Sequence, residues 1–360
     1  MSKIEQDQRV VFFPTYGHRQ AGPGSTSAAD WLIDIHGVIF RPLISSRKRD
    51  LLVRMARSWL PRNDNTIEQK TFRRRFWAFL VDHVVGQTVS IRIGDHYFDV
   101  GPSNADGHFR GTVRLPAKAV DRAIATASRS VRGDLSAEDR WLDYEAVMPD
   151  GCRRRSRGRI ALLASEGLSV VSDVDDTIKI SGVSQKKQLL ANVLARSYRA
   201  VPGMSDVYRR WAEQGAAFHY VSACPWQLYL PLSRFCGRAG YPAATYHLKK
   251  FRLREPTTLG LFKASKKLKV ATISKILSDF PRRRFLLVGD TTQKDPEVYG
   301  ELLRDYDAQI TQALIRNVPG VKKRAGRLEA AFRAVDADRW HLFDDAEEIG
   351  RRLTEMAQLV

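Results

Sequence analysis

The run Leu168-Ser169-Val170-Val171-Ser172 passes straight into Asp173-Val174-Asp175-Asp176-Thr177, an apolar strand that ends in three carboxylates and a hydroxyl. In an open parallel sheet, ligands bind at the carboxyl ends of strands, so these acids are expected to face a crevice there. Carboxylates packed this closely repel one another. A bound cation relieves that repulsion, and a solvated acidic turn also tolerates it.

The surrounding pattern supports a parallel sheet. After Glu166-Gly167, runs of four or five apolar residues alternate with longer amphipathic segments, which is the α/β signature. Strands are expected at Leu168 to Ser172, Ala217 to Ser222, Ala244 to Leu248, Phe285 to Val288 and Ile310 to Ile315. Helices are expected over Met204 to Gln214 and Lys269 to Asp279, with a last stripe of Ile349, Leu353 and Met356 after Asp344-Asp345. From Trp31 to about Leu163 the apolar pattern is short and alternating, as in Val89-Ser90-Ile91-Arg92-Ile93, and turn clusters such as Gly101 to Gly107 interrupt it. The reading is a flexible lead-in over 1–28, a β-sandwich over 29–163 with a helix around Lys48 to Leu60, and an α/β domain over 164–360.

Two further strand ends carry polar residues. Phe218-His219-Tyr220-Val221 ends at Ser222, and Phe285-Leu286-Leu287-Val288 ends at Gly289-Asp290, with Asp295 five residues on. Between them Lys269 opens a helix, although Lys266, Lys267 and Lys275 lie close by. A nucleophilic acid, a hydroxyl, a lysine and an acid pair at one sheet edge are what transfer of a phosphoryl group to an aspartate needs. Each residue also has a plainer reading: Ser222 as a cap ahead of Pro225, Lys269 as a surface lysine, Asp295 as the cap before Pro296. His219, His247 and Trp226 read as core residues.

Charge does not choose among the partners. With 59 Lys and Arg against 40 Asp and Glu, the 360-residue chain has a formal charge of +19 and a pI near 10.0. An anionic membrane, nucleic acid and a merely solvated face all fit that excess. The basic residues fall in short clusters, including Arg153 to Arg155, Lys249-Lys250, Lys263 to Lys269 and Arg282 to Arg284. No stretch approaches the ~18 to 20 apolar residues of a spanning helix. Cys152, Cys224 and Cys236 make neither a disulfide framework nor a zinc cluster, and the N-terminus lacks an apolar signal core, so a reducing cytoplasm is the default.

The motifs then carry a resemblance. They read Ser172-Asp173-Val174-Asp175-Asp176-Thr177-Ile178-Lys179, Tyr220-Val221-Ser222-Ala223-Cys224-Pro225-Trp226, Lys269 with Ile273, and Gly289-Asp290 through Asp295-Pro296-Glu297-Val298-Tyr299-Gly300. Over about 160–316 the chain resembles the lipin-like, actin-patch-protein-type phosphatidate phosphatases of the haloacid dehalogenase superfamily. Trp31 to Pro42 and Asp106 to Gly111 resemble the same family's N-terminal region. The resemblance implies a Rossmann-like parallel sheet, Mg2+ as cofactor, and an anionic phospholipid substrate met at a membrane surface, with no nucleic acid as partner and a cytoplasmic, peripherally membrane-associated location. It implies Asp173 as nucleophile and Asp175 as acid and then base. Thr177 and Ser222 would hold phosphoryl oxygens, and Lys269 would neutralise charge. Asp173 and Asp290 would bind the ion and Asp295 would support it directly or through water, with Asp175 contributing its backbone carbonyl. Thr291-Thr292 stand where the family has Ser-Gly, and Cys224 where serine is usual.

Only 44 residues (178–221) separate the first motif from Ser222, and 46 (223–268) separate Ser222 from Lys269, which leaves no room for a large cap. An open site suits a bulky or surface-presented substrate. A phosphatase of proteins or nucleic-acid ends, and a catalytically silent scaffold, are the competing readings.

Overall fold

A computed structural model describes residues 4–20, 30–42, 53–54, 66–128, 141–183, 186–250, 265–321 and 324–350. Contacts divide the chain into a β-rich unit (1–46, 80–165 and 244–246) and an α/β unit (47–79, 166–243 and 247–360).

In the β-rich unit the strands are β1 (Arg9–Phe12), β2 (Thr15–Gln20), β3 (Asp30–Pro42), β4 (Val81–His83), β5 (Val89–Ile93), β6 (His96–Val100), β7 (His108–Leu115), β8 (Trp141–Ala146) and β9 (Arg157–Leu162). They are hydrogen-bonded in the order β1-β3-β2-β9-β8-β5-β6, and β4 and β7 also pair with β3. Alternation is clearest in β3, where Trp31, Ile33 and Ile35 point inward and Asp34 and His36 do not. The inward faces join one apolar cluster that includes Phe12, Ile91, Phe109, Tyr144 and Ile160. Two expectations are corrected here. The segment 1–28 is not simply a lead-in, because β1 and β2 lie within it and bury Val10, Phe12 and Tyr16. The stretch 47–79 groups with the α/β unit instead of the β-rich one. The helix expected around Lys48 to Leu60 lies almost wholly outside the described residues.

The second sheet is built on β10 (Leu168–Ser172), β11 (Ala217–Pro225), β12 (Ala244–Lys249), β13 (Arg284–Asp290), β14 (Ile310–Arg316) and β15 (Trp340–Phe343), in the order β12-β11-β10-β13-β14-β15. β10 is parallel to both β11 and β13, β13 is parallel to β14, and β14 to β15. Strands buried on both faces read as continuous apolar runs, which is why five of the six were legible. β15, with Trp340-His341-Leu342-Phe343 only partly buried, was not.

Flanking helices are α1 (Thr66–Trp77), α2 (Met204–Glu213), α3 (Tyr229–Arg238), α4 (Lys266–Asp279), α5 (Asp295–Asp305) and α6 (Arg324–Ala331). In α2, Met204, Val207, Tyr208 and Trp211 are buried at helical spacing. α4 starts earlier than expected because the Ser265 side chain caps it by accepting from the Leu268 N–H. A short helix, Ala346–Gly350, buries Ile349, while Leu353 and Met356 lie outside the described residues. Arg283 departs from the solvated-cluster reading. It is buried at the start of β10, where it donates to Ser169 Oγ (3.0 Å) and to the carbonyls of Glu166 (2.5 Å) and Leu168 (2.6 Å).

Register fixes the site. Ser172 lies opposite Tyr220 on one side and Val288 on the other, so Asp173, Ser222 and Asp290 all follow at the same edge. Because the sheet grows in both directions from β10, that edge is its switch point.

Candidate active site

All seven expected residues, Asp173, Asp175, Thr177, Ser222, Lys269, Asp290 and Asp295, are described and gather at this edge. Six are buried, and the Lys269 side chain is only 10% exposed. Lys269 Nζ donates to Asp173 Oδ1 at 2.7 Å and to Asp295 Oδ1, so the lysine chosen among its neighbours is the one that enters the site. Thr177 Oγ1 donates to Asp290 Oδ2 at 3.4 Å. Ser222 Oγ accepts from the Cys224 N–H at 3.0 Å and donates to Asp175 Oδ2 at 3.4 Å, so it fixes its own turn as well as facing the acids.

Asp173, Asp290 and Asp295 each bring a carboxylate oxygen within 4.8 Å of the others. Asp173 Oδ2 is buried without a hydrogen-bond partner. Three clustered carboxylates, one with a buried oxygen that has no hydrogen-bond partner, suit Mg2+ or a similar hard cation, so the residues present fit the expected ion. Asp295 does not act as the cap of α5. That place falls to Lys294, which makes no side-chain cap bond, and Asp295 Oδ2 instead accepts from the Asp290 N–H at 3.1 Å. Its approach requires Gly289: a Cβ there would lie 2.5 Å from Asp295 Oδ2 and 2.7 Å from its Cβ.

Burial pushes the Asp173 carboxyl well above its ordinary range, opposed by Lys269 and reinforced by Asp295, Asp290 and Asp175. Asp290 is pushed up to about 8, again by burial first and then by Asp295. Asp175 goes the other way. Burial works against its charge, but Lys179 and the hydroxyls of Ser181 and Ser222 outweigh it and hold the carboxyl below its ordinary value.

Several residues that contact the candidate site were missed from sequence. Lys179 is 1% exposed, and its Nζ donates to Asp175 Oδ1 (2.6 Å) and Ser181 Oγ (2.7 Å); a lone lysine inside Thr177-Ile178-Lys179-Ile180 was the available signal. Thr292, noted only as a departure, donates to Asp290 Oδ1 through its N–H (2.5 Å) and its hydroxyl. Arg327 clamps the loop between the two acids by donating to the carbonyls of Thr291 (2.6 Å) and Gln293, and to Glu297.

Asp176 closes the motif. At φ 60° it takes the left-handed conformation that aspartate tolerates better than most residues, and its carboxylate accepts from the N–H groups of Ser181 (2.7 Å), Gly182 (2.9 Å) and Val183 (2.7 Å). Asp176→Ala is expected to lower stability by about 3 kcal/mol, because buried donors to a charged acceptor lose their partner and alanine sits poorly at positive φ. Urea unfolding of Asp176→Ala beside Asp176→Asn measures this, with the asparagine variant milder; equal stability of both to wild type contradicts it.

Residues 168–317, which hold β10 to β14 and every residue of this site, match the family described as phosphatidate phosphatase APP1, catalytic domain. Phosphatidate phosphatase APP1 of Saccharomyces cerevisiae is 30% identical over 154 residues, 42% of this chain and 26% of that protein. An uncharacterized Schizosaccharomyces pombe protein is 29% identical over 163 residues, 44% of this chain and 26% of its own length. The matched stretch thus spans about a quarter of either relative. A Photobacterium 2,6-sialyltransferase aligns over 75% of this chain and 53% of its own at 10% identity with a TM-score of 0.23, too slight a likeness to bear on the fold.

Proposed function

We propose that this chain is a Mg2+-dependent phosphatidate phosphatase of the haloacid dehalogenase type, yielding diacylglycerol and phosphate. The observation that carries the reading is the convergence of Asp173, Thr177, Ser222, Lys269, Asp290 and Asp295 at one sheet edge, within the stretch that matches a phosphatidate phosphatase catalytic domain. In this reading the β-rich unit is a β-sandwich, and the catalytic domain has no large cap.

An Asp173 oxygen attacks phosphorus and the bond from phosphorus to the glycerol oxygen breaks, leaving an aspartyl-phosphate. Asp175, held ionised by Lys179, takes the proton of the phosphate monoanion and passes it to the departing alcohol. It then takes a proton from water, whose oxygen displaces Asp173 from phosphorus, and passes that proton to the departing phosphate, which regenerates the ionised carboxylate. Thr177, Ser222 and Lys269 orient the phosphoryl oxygens. Asp173, Asp290 and Asp295, with the Asp175 carbonyl, would hold Mg2+, which would supply neutralising charge. The +19 charge agrees with an anionic membrane surface, and among the described residues no helix is long and apolar enough to cross a membrane. The reading includes a cytoplasmic, peripherally membrane-associated location.

The test compares phosphate release from phosphatidate micelles, a phosphopeptide and a 5′-phosphorylated oligonucleotide, with Mg2+ and with a chelator. Release is expected from phosphatidate above the others and only with Mg2+. Preference for another substrate overturns the lipid assignment, and no release from any of them overturns the enzyme.

A further inference from the structure

We infer that Arg75 and Tyr198 are positioning residues for Asp175, acting through Lys179, so that the catalytic unit includes α1, far outside the matched stretch 168–317. The inference rests on Asp175 serving as the acid and base. Arg75 is 8% exposed on α1 and donates to the carbonyls of Val193 (2.8 Å) and Arg196 (2.8 Å), at the end of the π-helical turn Ala191–Ala195. Its guanidinium lies 4.0 Å from the centroid of the Tyr198 ring, and the same ring has Lys179 Nζ at 4.8 Å. The Tyr198 hydroxyl donates to the Val193 carbonyl at 3.0 Å, and Lys179 Nζ goes on to Asp175.

A second route runs parallel to the first. Glu68, also on α1, pairs with Arg196 (3.4 Å), which donates to Asn192 Oδ1 (3.1 Å). Asn192 Nδ2 donates to the Ser181 carbonyl (3.0 Å), and Ser181 Oγ donates to Asp175 Oδ1 (2.6 Å). Both chains start on α1 and end on one carboxylate oxygen.

Two cations on one ring are a costly way to hold a fold, since each must be desolvated and they repel one another. Apolar packing of similar volume would serve stability as well or better. What the arrangement does provide is a fixed Lys179 Nζ. With Oδ1 of Asp175 held by that ammonium, Oδ2 is left toward Ser222 and the substrate side. π-Helical turns recur at functional sites, and this one carries the partners of both routes.

The test uses the full chain with Arg75→Met, Tyr198→Leu and Tyr198→Phe. Lysine side-chain 15N NMR, with the Lys179 ammonium assigned through Lys179→Arg, is expected to show a slowly exchanging signal in wild type and Tyr198→Phe. In Arg75→Met and Tyr198→Leu that signal should exchange about tenfold faster or vanish. With water-soluble dioctanoyl phosphatidate, those two variants should lose about tenfold or more in kcat with KM within twofold, while Tyr198→Phe stays near wild type. Mn2+ affinity by calorimetry should stay within twofold in all three, as a merely structural loss would not allow. An unchanged Lys179 signal and kcat, or kcat, KM and Mn2+ affinity falling together, overturns the inference. If Arg75→Met does not fold, the Tyr198 pair decides alone. Absence of turnover in wild type counts against the phosphatase reading, and the NMR comparison still decides the coupling.

Discussion

Asp173→Asn is expected to abolish phosphate release, by about 10⁴-fold or more, in a chain that remains folded. Asparagine keeps the shape, and its carbonyl still accepts from Lys269 in place of Asp173 Oδ1. What disappears is the nucleophilic oxygen and one of the three charges of the Asp173, Asp290 and Asp295 group. Because burial and the neighbouring carboxylates disfavour the Asp173 charge and its Oδ2 lacks a hydrogen-bond partner, removing that charge should leave the melting temperature unchanged or raised. Acid-quenched wild type incubated with substrate should carry acid-stable protein-bound phosphate, and the variant none. Full activity in Asp173→Asn would sink the mechanism, whereas a collapsed melting transition would show that the residue holds the fold.

What sequence disclosed and what it concealed divide along the range of the interactions. The acids after β10 and the Gly289-Asp290 end of β13 were legible because they interrupt runs of Val, Leu and Phe that only a doubly covered strand explains. Lys269 was chosen over Lys266, Lys267 and Lys275, and its contacts with Asp173 and Asp295 single it out, while Lys266 pairs with Glu301. Lys179 was hidden because its partner, Asp175, becomes visible only when the chain folds back after Thr177. The β1 segment looked like a polar lead-in, since four residues are too few to show a period; its inward Val10 and Phe12 gain meaning only through pairing with β3. The place of α1 was concealed for the same reason: Arg75 reaches carbonyls more than a hundred residues away.

Without divalent cation, stability is expected to fall as pH rises from about 5 to about 8.5, and Mg2+ to restore it most at the alkaline end. Asp290 has an ordinary value of 3.8 and is pushed up to about 8, so the folded chain holds its proton more tightly than the unfolded chain does. Its contribution is fully present below the unfolded value and is lost as pH climbs through the folded one, at about 1.4 kcal/mol per pH unit between them. Asp173 is raised in the same direction, so it steepens the loss. Asp175 cannot produce this slope: its folded value is depressed, so its contribution is lost only as pH falls into the acid range. A cation among the three carboxylates replaces those protons and should release them. The release is measured as Mg2+ binding heats at pH 7 in buffers of different ionisation enthalpy, alongside melting temperatures across the pH series with and without the ion. Asp290→Asn should flatten the slope, since its charge is then gone at every pH. Melting temperatures level from pH 5.5 to 8.5 in the metal-free wild type, or Mg2+ binding without proton release, would mean that these acids are not held protonated by burial, and the case for a cation site built on their mutual repulsion would fail with them.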